Sequence, residues 1–163
     1  MRNLVAVAAL ALGGCGFHLR AAENLPFDTL FVSTPATSAL GAELRRTIRI
    51  GTSTRIVDTA EAAAAVLDVS GETTQREVVS YNAQGQAREY ELRYRLAIRV
   101  HDGKGYEYLP TTPLQAVRDI AYNDSQVLAK ESEEALLFRD MRSDLVQQVL
   151  RRLGAIKPRA SQG

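Results

Sequence analysis

Eleven consecutive residues near the middle of the chain alternate without a break. Tyr90, Leu92, Tyr94, Leu96, Ile98 and Val100 are apolar, and Glu91, Arg93, Arg95, Ala97 and Arg99 fall between them. A period of two is the period of a β-strand, so this stretch is a strand with one buried face and one polar face. At about 3.4 Å per residue it runs for roughly 37 Å, long for a globular strand. Its apolar face must be covered by another layer.

The flanking segments supply the rest of the sheet and its cover. Asn82 to Gln86 and Asp102 to Gly105 are turn clusters on either side of the long strand. A strand is therefore expected before it, over Val66 to Val79, and another after it, over Tyr106 to Tyr122. Pro110 and Pro113 suit an edge or a bulge in the latter. Thr29 to Ser33 reads as a short apolar strand and Arg55 to Val57 as a second. Between them Leu40, Leu44 and Ile48 step by four, which predicts a helix over 38–50 with Thr37 or Ser38 as its cap. Gly51 stands where a helix end favours positive φ, and the alanine run Ala62 to Ala65 predicts a short helical turn. From Asn123-Asp124-Ser125 to Leu153 there is neither Gly nor Pro. Leu137, Met141, Leu145, Val149 and Leu153 again step by four, widened by Leu128, Ala135, Phe138 and Leu150. That is a long amphipathic helix, stopped at Gly154. The expected architecture is α+β: a two-layer sandwich with a mostly antiparallel sheet and two helices, one long and C-terminal, packed on one face.

The N-terminus differs from all of this. Leu4 to Leu12 is an unbroken apolar run after Arg2, and Gly13, Gly14 and Cys15 follow. A positive start, a short apolar run and small residues before a cut site describe a secretory signal. The run is too short to span a bilayer, which takes about 20 residues; the alternative is a buried N-terminal helix. Cys15 is the only cysteine, so it is free, paired outside the chain, or modified. Leu12-Gly13-Gly14-Cys15 resembles the bacterial lipobox, which implies a lipid-modified Cys15 at the start of the processed chain. Gly16, where an Asp favours inner-membrane retention, points to the outer membrane. The expected organisation is a signal peptide over 1–14, a lipidated tether over 15–26, one domain over 27–155 and a flexible tail over 156–163.

Chemistry is sparse. The two histidines, His18 and His101, are isolated, and no second cysteine assists them in holding a metal. Neither a nucleophile elbow nor a phosphate-binding glycine loop is present. No enzyme and no cofactor is expected. The chain has 20 basic and 19 acidic residues, and removal of 1–14 takes away Arg2 alone, leaving charges balanced. A nucleic-acid partner is therefore not expected. Glu131, Glu133 and Glu134 read as the solvated first half of the long helix. Arg93, Arg95 and Arg99 share the polar face of the long strand, with Glu89 and Glu91 ahead of them. That face is either a solvated surface or one that meets an anionic partner, since guanidinium pairs with phosphate and carboxylate.

Cys15-Gly16-Phe17-His18-Leu19-Arg20, directly after the signal, resembles the start of the LptE family of lipopolysaccharide-assembly lipoproteins. Gly85-Gln86 with Glu89-Tyr90, and Leu128-Ala129-Lys130 followed by acids, resemble that family's hairpin strand and the start of its last helix. The resemblance covers nearly all of the processed chain. It implies an outer-membrane lipoprotein on the periplasmic side that binds lipopolysaccharide. It also implies a plug inside the LptD β-barrel that helps the barrel assemble and deliver lipopolysaccharide to the outer leaflet. The family's basic residue at the start of the last helix falls on Lys130. Its hairpin arginine has no counterpart at Asn82 or Ala83, and Arg88 stands nearest by position. A polar plug suits a polar barrel interior. The alternative is an outer-membrane lipoprotein that scaffolds or activates a periplasmic cell-wall enzyme, against which the short tether argues.

Overall fold

The computed structural model describes residues 24–121 and 127–157. The expected signal peptide, Cys15, His18 and most of the tether lie outside these residues, as do the Asn123-Asp124-Ser125 cap and the end of the tail. Five strands and two helices follow in the order β1 (Thr29–Ser33), α1 (Ala39–Gly51), β2 (Arg55–Ile56), β3 (Ala65–Tyr81), β4 (Ala87–His101), β5 (Glu107–Ala121) and α2 (Val127–Gly154). They form one mixed sheet of order β2-β1-β3-β4-β5. The β3–β4 and β4–β5 pairs are antiparallel, whereas β1 runs parallel to both β2 and β3. The parallel pairing arises because α1 carries the chain back across the sheet between β1 and β2, as parallel neighbours require. The class is α+β, with a long C-terminal helix.

The alternation predicted for β4 holds along its length. Leu92, Tyr94, Leu96, Ile98 and Val100 are buried and Tyr90 half-buried, facing Leu40, Leu44 and Ile48 of α1 and Met141, Leu145, Val149 and Leu153 of α2 in one continuous core. α1 packs on β1 and β2, α2 on β4 and β5, and the helices touch each other. The core reaches Leu25 at one end and Ile156 at the other.

Helix α1 starts at Ser38, whose Oγ accepts the Gly41 N–H at 3.0 Å and satisfies a free end donor. Its end differs from expectation. Gly51 is the last helical residue and is not among the glycines of positive φ. Thr52 closes the helix instead, its backbone N–H and its Oγ1 both donating to the Ile48 carbonyl. The expected helical turn at Ala62–Ala65 is absent. Ala65 is buried and paired with Leu30 as the first residue of β3, because a sheet position beside the core outweighs alanine's helix preference. Pro110 and Pro113 lie in β5 at the sheet edge, where a missing N–H is tolerated. The β3–β4 turn closes with Asn82 N–H on the Gln86 carbonyl at 2.8 Å, and Gly85 takes the positive φ the turn needs.

Candidate functional site

The sheet has two unlike ends. At the root, β1 pairs with Ala65–Asp68 of β3, next to the last residues of β4 and the β4–β5 turn. The chain enters here: Phe27 stacks edge-on against Tyr108 with ring centroids 4.9 Å apart. At the far end lie the β3–β4 turn, the last residue of β5 (Ala121, opposite Glu89) and the first turns of α2.

Both basic residues singled out from the sequence belong toward the far end. Arg88 is exposed, and it sits at a bulge: Glu89 pairs with Ser80 and Ala87 with Tyr81, leaving Arg88 as the extra residue. Lys130 lies on the N-terminal part of α2. Its side chain keeps only 19% of its exposure, and Nζ donates to Glu133 Oε2 at 2.7 Å, one turn along the helix. The next residue, Glu134, accepts from Arg76 Nη1 at 2.9 Å, which ties α2 to β3. Arg76 also stacks over Tyr90, its guanidinium carbon 4.7 Å from the ring centre. Thus two of the three glutamates expected to be merely solvated hold basic partners. A solvated amphipathic pattern looks the same in sequence whether or not a strand 58 residues away supplies an arginine.

The polar face of β4 is largely neutralised from within. Arg93 pairs with Glu91 and approaches Glu77 at 3.9 Å. Arg99 donates to Asp68 through Nη2 at 2.7 Å and lies 3.7 Å from Glu107. Arg95 is exposed, and among the described residues it has no ion-pair partner. The three arginines therefore do not form one basic surface. Asp68 also contacts His101 Nε2 at 3.1 Å, while His101 Nδ1 accepts the Gly103 N–H at 3.0 Å, an arrangement that places the imidazole proton on Nε2. Burial alone would raise the Asp68 carboxyl, but hydrogen bonds from Arg99 and His101 outweigh it and hold the group below its ordinary range.

Two further polar links join layers, and neither is visible as a sequence motif. Glu43 on α1 accepts from Ser143 Oγ at 2.6 Å and from Arg142 Nε at 2.9 Å on α2. Burial would raise its carboxyl, and those two donors instead bring it below the usual value. Glu72 accepts from the Tyr94 hydroxyl and from Ser38 Oγ, the latter at 2.9 Å. Burial, and then the neighbouring Glu72 carboxylate, push the Tyr94 hydroxyl far above its ordinary value. Glu72 reaches the helix side because Gly71, at positive φ, lies in a register break between Ser70 and Thr73.

Among the described residues no three His, Cys, Asp or Glu side chains gather closely enough to hold a metal ion. Within the same residues no helix is long and apolar enough to cross a membrane.

Comparison with known proteins gives consistent matches. The family model described as LptE, Lipopolysaccharide-assembly, matches residues 27–153. The LPS-assembly lipoprotein LptE of Yersinia pestis (strain Pestoides F) is 28% identical over 153 residues, covering 92% of this chain and 73% of that protein. Among solved structures, lipoprotein B of Nitrosomonas europaea superposes with a TM-score of 0.75 at 34% identity, over 86% of this chain and 91% of its own. The rare lipoprotein B of Shewanella oneidensis gives 0.68 at 26% identity, over 78% and 94%.

Proposed function

The chain belongs to the LptE family of lipopolysaccharide-assembly proteins, and on that premise we propose that it is an outer-membrane lipoprotein that binds lipopolysaccharide and plugs an LptD-type barrel. Within its family role in lipopolysaccharide assembly, it helps the barrel form and helps pass lipopolysaccharide to the outer leaflet. Cys15 carries the lipid after removal of residues 1–14, and the domain faces the periplasm. The family is one of assembly, not of catalysis, and the chain acts by binding.

The observation that carries this reading is the location of Lys130 and Arg88. Two basic residues from separate elements lie toward the same end of the sheet, opposite the end where the chain enters. Phosphates and charged sugars of lipopolysaccharide are anionic, and a lysine engages a phosphate as a point charge while an arginine grips it with two parallel donors. Lys130 is held by Glu133, so binding exchanges one carboxylate partner for a phosphate instead of ordering a free side chain. The balanced charge of the β4 polar face supports a plug, which needs a hydrophilic exterior without one-signed repulsion.

Purification of the full-length lipoprotein from detergent-extracted outer membranes tests the barrel partner. A stoichiometric large barrel is expected to co-elute with it. Recovery of the chain alone, under conditions that keep other outer-membrane complexes intact, would overturn the plug reading. Dependence of a periplasmic cell-wall enzyme on the chain, without a barrel, would favour the scaffold alternative.

A further inference from the structure

Charge is balanced over the whole chain but not along the helices. From Leu44 to Val57 there are four arginines and no acid, and from Leu145 to Lys157 two arginines, a lysine and no acid. The fold brings these two stretches together. Glu43 on α1 is bonded to Arg142 and Ser143 on α2, and from that tie both helices run toward the root. α1 ends beside the start of β2, where Thr54 Oγ1 donates to the Phe27 carbonyl at 2.8 Å and Arg55 pairs with Thr29. Along α2, Asp144 meets Arg118 and then Gln148 meets the Gln115 carbonyl, so the helix runs back along β5 in the same direction. Eight residues beyond the tie, the last residue of α1, Gly51, comes level with Arg151 of α2.

Most of the cations gathered here are not neutralised from within. Arg45 is bonded to Thr34 Oγ1, and Arg46 lies near Glu43. Arg49, Arg55, Arg151, Arg152 and Lys157 are exposed and, among the described residues, have no ion-pair partner. Gln148 and Ala155 complete an open hollow around Arg151 and Arg152, and among the described residues no carboxylate lines it. Ile50, next to Arg49, is 81% exposed. The acids of the root belong to the strands and their loops. Asp28, Asp58 and Glu61 flank β1 and β2, Glu107 faces Arg99, and Asp102 accepts the Lys104 and Tyr106 amides of its own turn. A cation in the last turn complements the carbonyl end of a helix. That accounts for Arg49 and for one of Arg151 and Arg152. It does not account for Arg55, for Lys157, or for two acid-free stretches that converge.

The same end receives the chain. Leu25 and Phe27 are fixed in the core there, and Cys15 stands ten residues before Leu25, a reach of about 36 Å at most. A lipid on Cys15 therefore keeps this end of the domain within that distance of a bilayer. Close to an anionic bilayer surface, each Lys or Arg strengthens the attraction about fivefold. An exposed aliphatic side chain among them seats at the headgroup boundary. We infer that the paired C-terminal ends of α1 and α2 are a docking surface for anionic phospholipid headgroups. Arg49, Arg55, Arg151, Arg152 and Lys157 meet the phosphates, and Ile50 enters the boundary. The inference rests on the lipoprotein reading of Cys15 above. A lipid chain and a basic surface are two anchoring signals in place of one, and together they turn the root toward the headgroups and the Lys130 end away from them.

The full-length lipoprotein, its Cys15 lipid verified by intact mass, tests this. With Cys15 acylated, Ile50→Cys supplies a single free thiol, and Leu136→Cys, exposed on α2 nearer the Lys130 end, supplies the control. Each is labelled with a fluorophore and reconstituted in phosphatidylcholine vesicles carrying a headgroup quencher, with or without phosphatidylglycerol. Quenching at position 50 is expected to rise with phosphatidylglycerol and to fall back at about 1 M salt, where charges are screened beyond roughly 3 Å. Position 136 is expected to stay unquenched. Reversal of two charges, Arg151→Glu with Arg152→Glu, is expected to remove most of the phosphatidylglycerol-dependent signal at an unchanged thermal midpoint. Equal quenching at position 50 with and without phosphatidylglycerol overturns the inference and leaves the lipoprotein reading intact. A signal untouched by the charge reversal or by salt does the same. Absence of lipid on Cys15 overturns both. Quenching that appears with lipopolysaccharide in the vesicles and not with phosphatidylglycerol assigns the surface to lipopolysaccharide and also overturns the inference.

Discussion

The first and last parts of β3 are one continuous strand with opposite roles. Ala65, Val66 and Leu67 are buried between β1 and β4 under the helices, whereas Gly71–Val79 are exposed and, among the described residues, have β4 alone as a strand neighbour. The root segment is apolar, Ala-Val-Leu, and the far segment reads Thr-Thr-Gln-Arg-Glu. Along that half the strand is carried by β4, whose own apolar face is packed from Leu92 to Val100. The root is packed into the core, and the far half is ordered and exposed among the described residues. The basic residues Lys130 and Arg88 belong to that second region.

The contrast sets the size of mutational effects. Leu67→Ala removes a fully buried side chain at the root and is expected to lower unfolding free energy by about 2–5 kcal/mol in urea titrations. Thr74→Ala, seven residues further along the same strand, should change it by less than about 0.5 kcal/mol. Equal losses at both positions would mean that the far half is part of the cooperative core. Gly41→Ala comes next. A Cβ there would overlap Thr34 Oγ1 where α1 meets the end of β1. Overpacking of about 1–3 kcal/mol is expected to exceed the roughly 1 kcal/mol gained in helix propensity, so the thermal midpoint falls. Gly51→Ala, with open space around it, should leave the midpoint unchanged or raise it.

A smaller effect separates the two regions by pH. Glu43 and Asp68 have folded-state carboxyls below their ordinary values of 4.5 and 3.8. Their contribution to stability is therefore complete above those values and is lost as pH falls through the lower folded-state values. Urea midpoints should be flat from pH 7 to 5 and decline below about pH 4.5, and Glu43→Gln should make the decline shallower. Both groups lie toward the root or between the helices, so an acid response unchanged in Glu43→Gln and Asp68→Asn variants would place the sensitive groups elsewhere.

Much of this architecture was legible in the residues. The alternation Tyr90–Val100 dictated β4 and its buried face, and the four-residue steps of Leu40–Ile48 and Leu137–Leu153 gave both helices. These patterns are strong because the buried face repeats with the backbone's own period. Pairing partners were less accessible. The parallel placement of β1 depends on where α1 returns the chain, and nothing local encodes it. Thr52 rather than Gly51 closes α1, because a hydroxyl bonded to the Ile48 carbonyl does the work expected of a left-handed glycine. For the candidate site, Lys130 was found through family resemblance. Its Glu133 bond follows from helical spacing, but the Arg76–Glu134 tie exists only once the strand and the helix are packed together. Of the two readings of the β4 arginines, a solvated face or a surface for an anionic partner, the sequence could not choose for the same reason, since their acidic partners come from β3 and β5 as well as from β4.

Equilibrium binding of purified lipopolysaccharide, measured on wild type, Lys130→Glu and Leu114→Ala, bears most directly on the far end as the binding region. Lys130→Glu is expected to weaken binding about tenfold or more while the thermal midpoint stays at the wild-type value. Leu114→Ala, in the core, should lower the midpoint and leave the affinity of the folded protein unchanged. Wild-type affinity in a folded Lys130→Glu chain would contradict the assignment of lipopolysaccharide to the Lys130 end of the sheet.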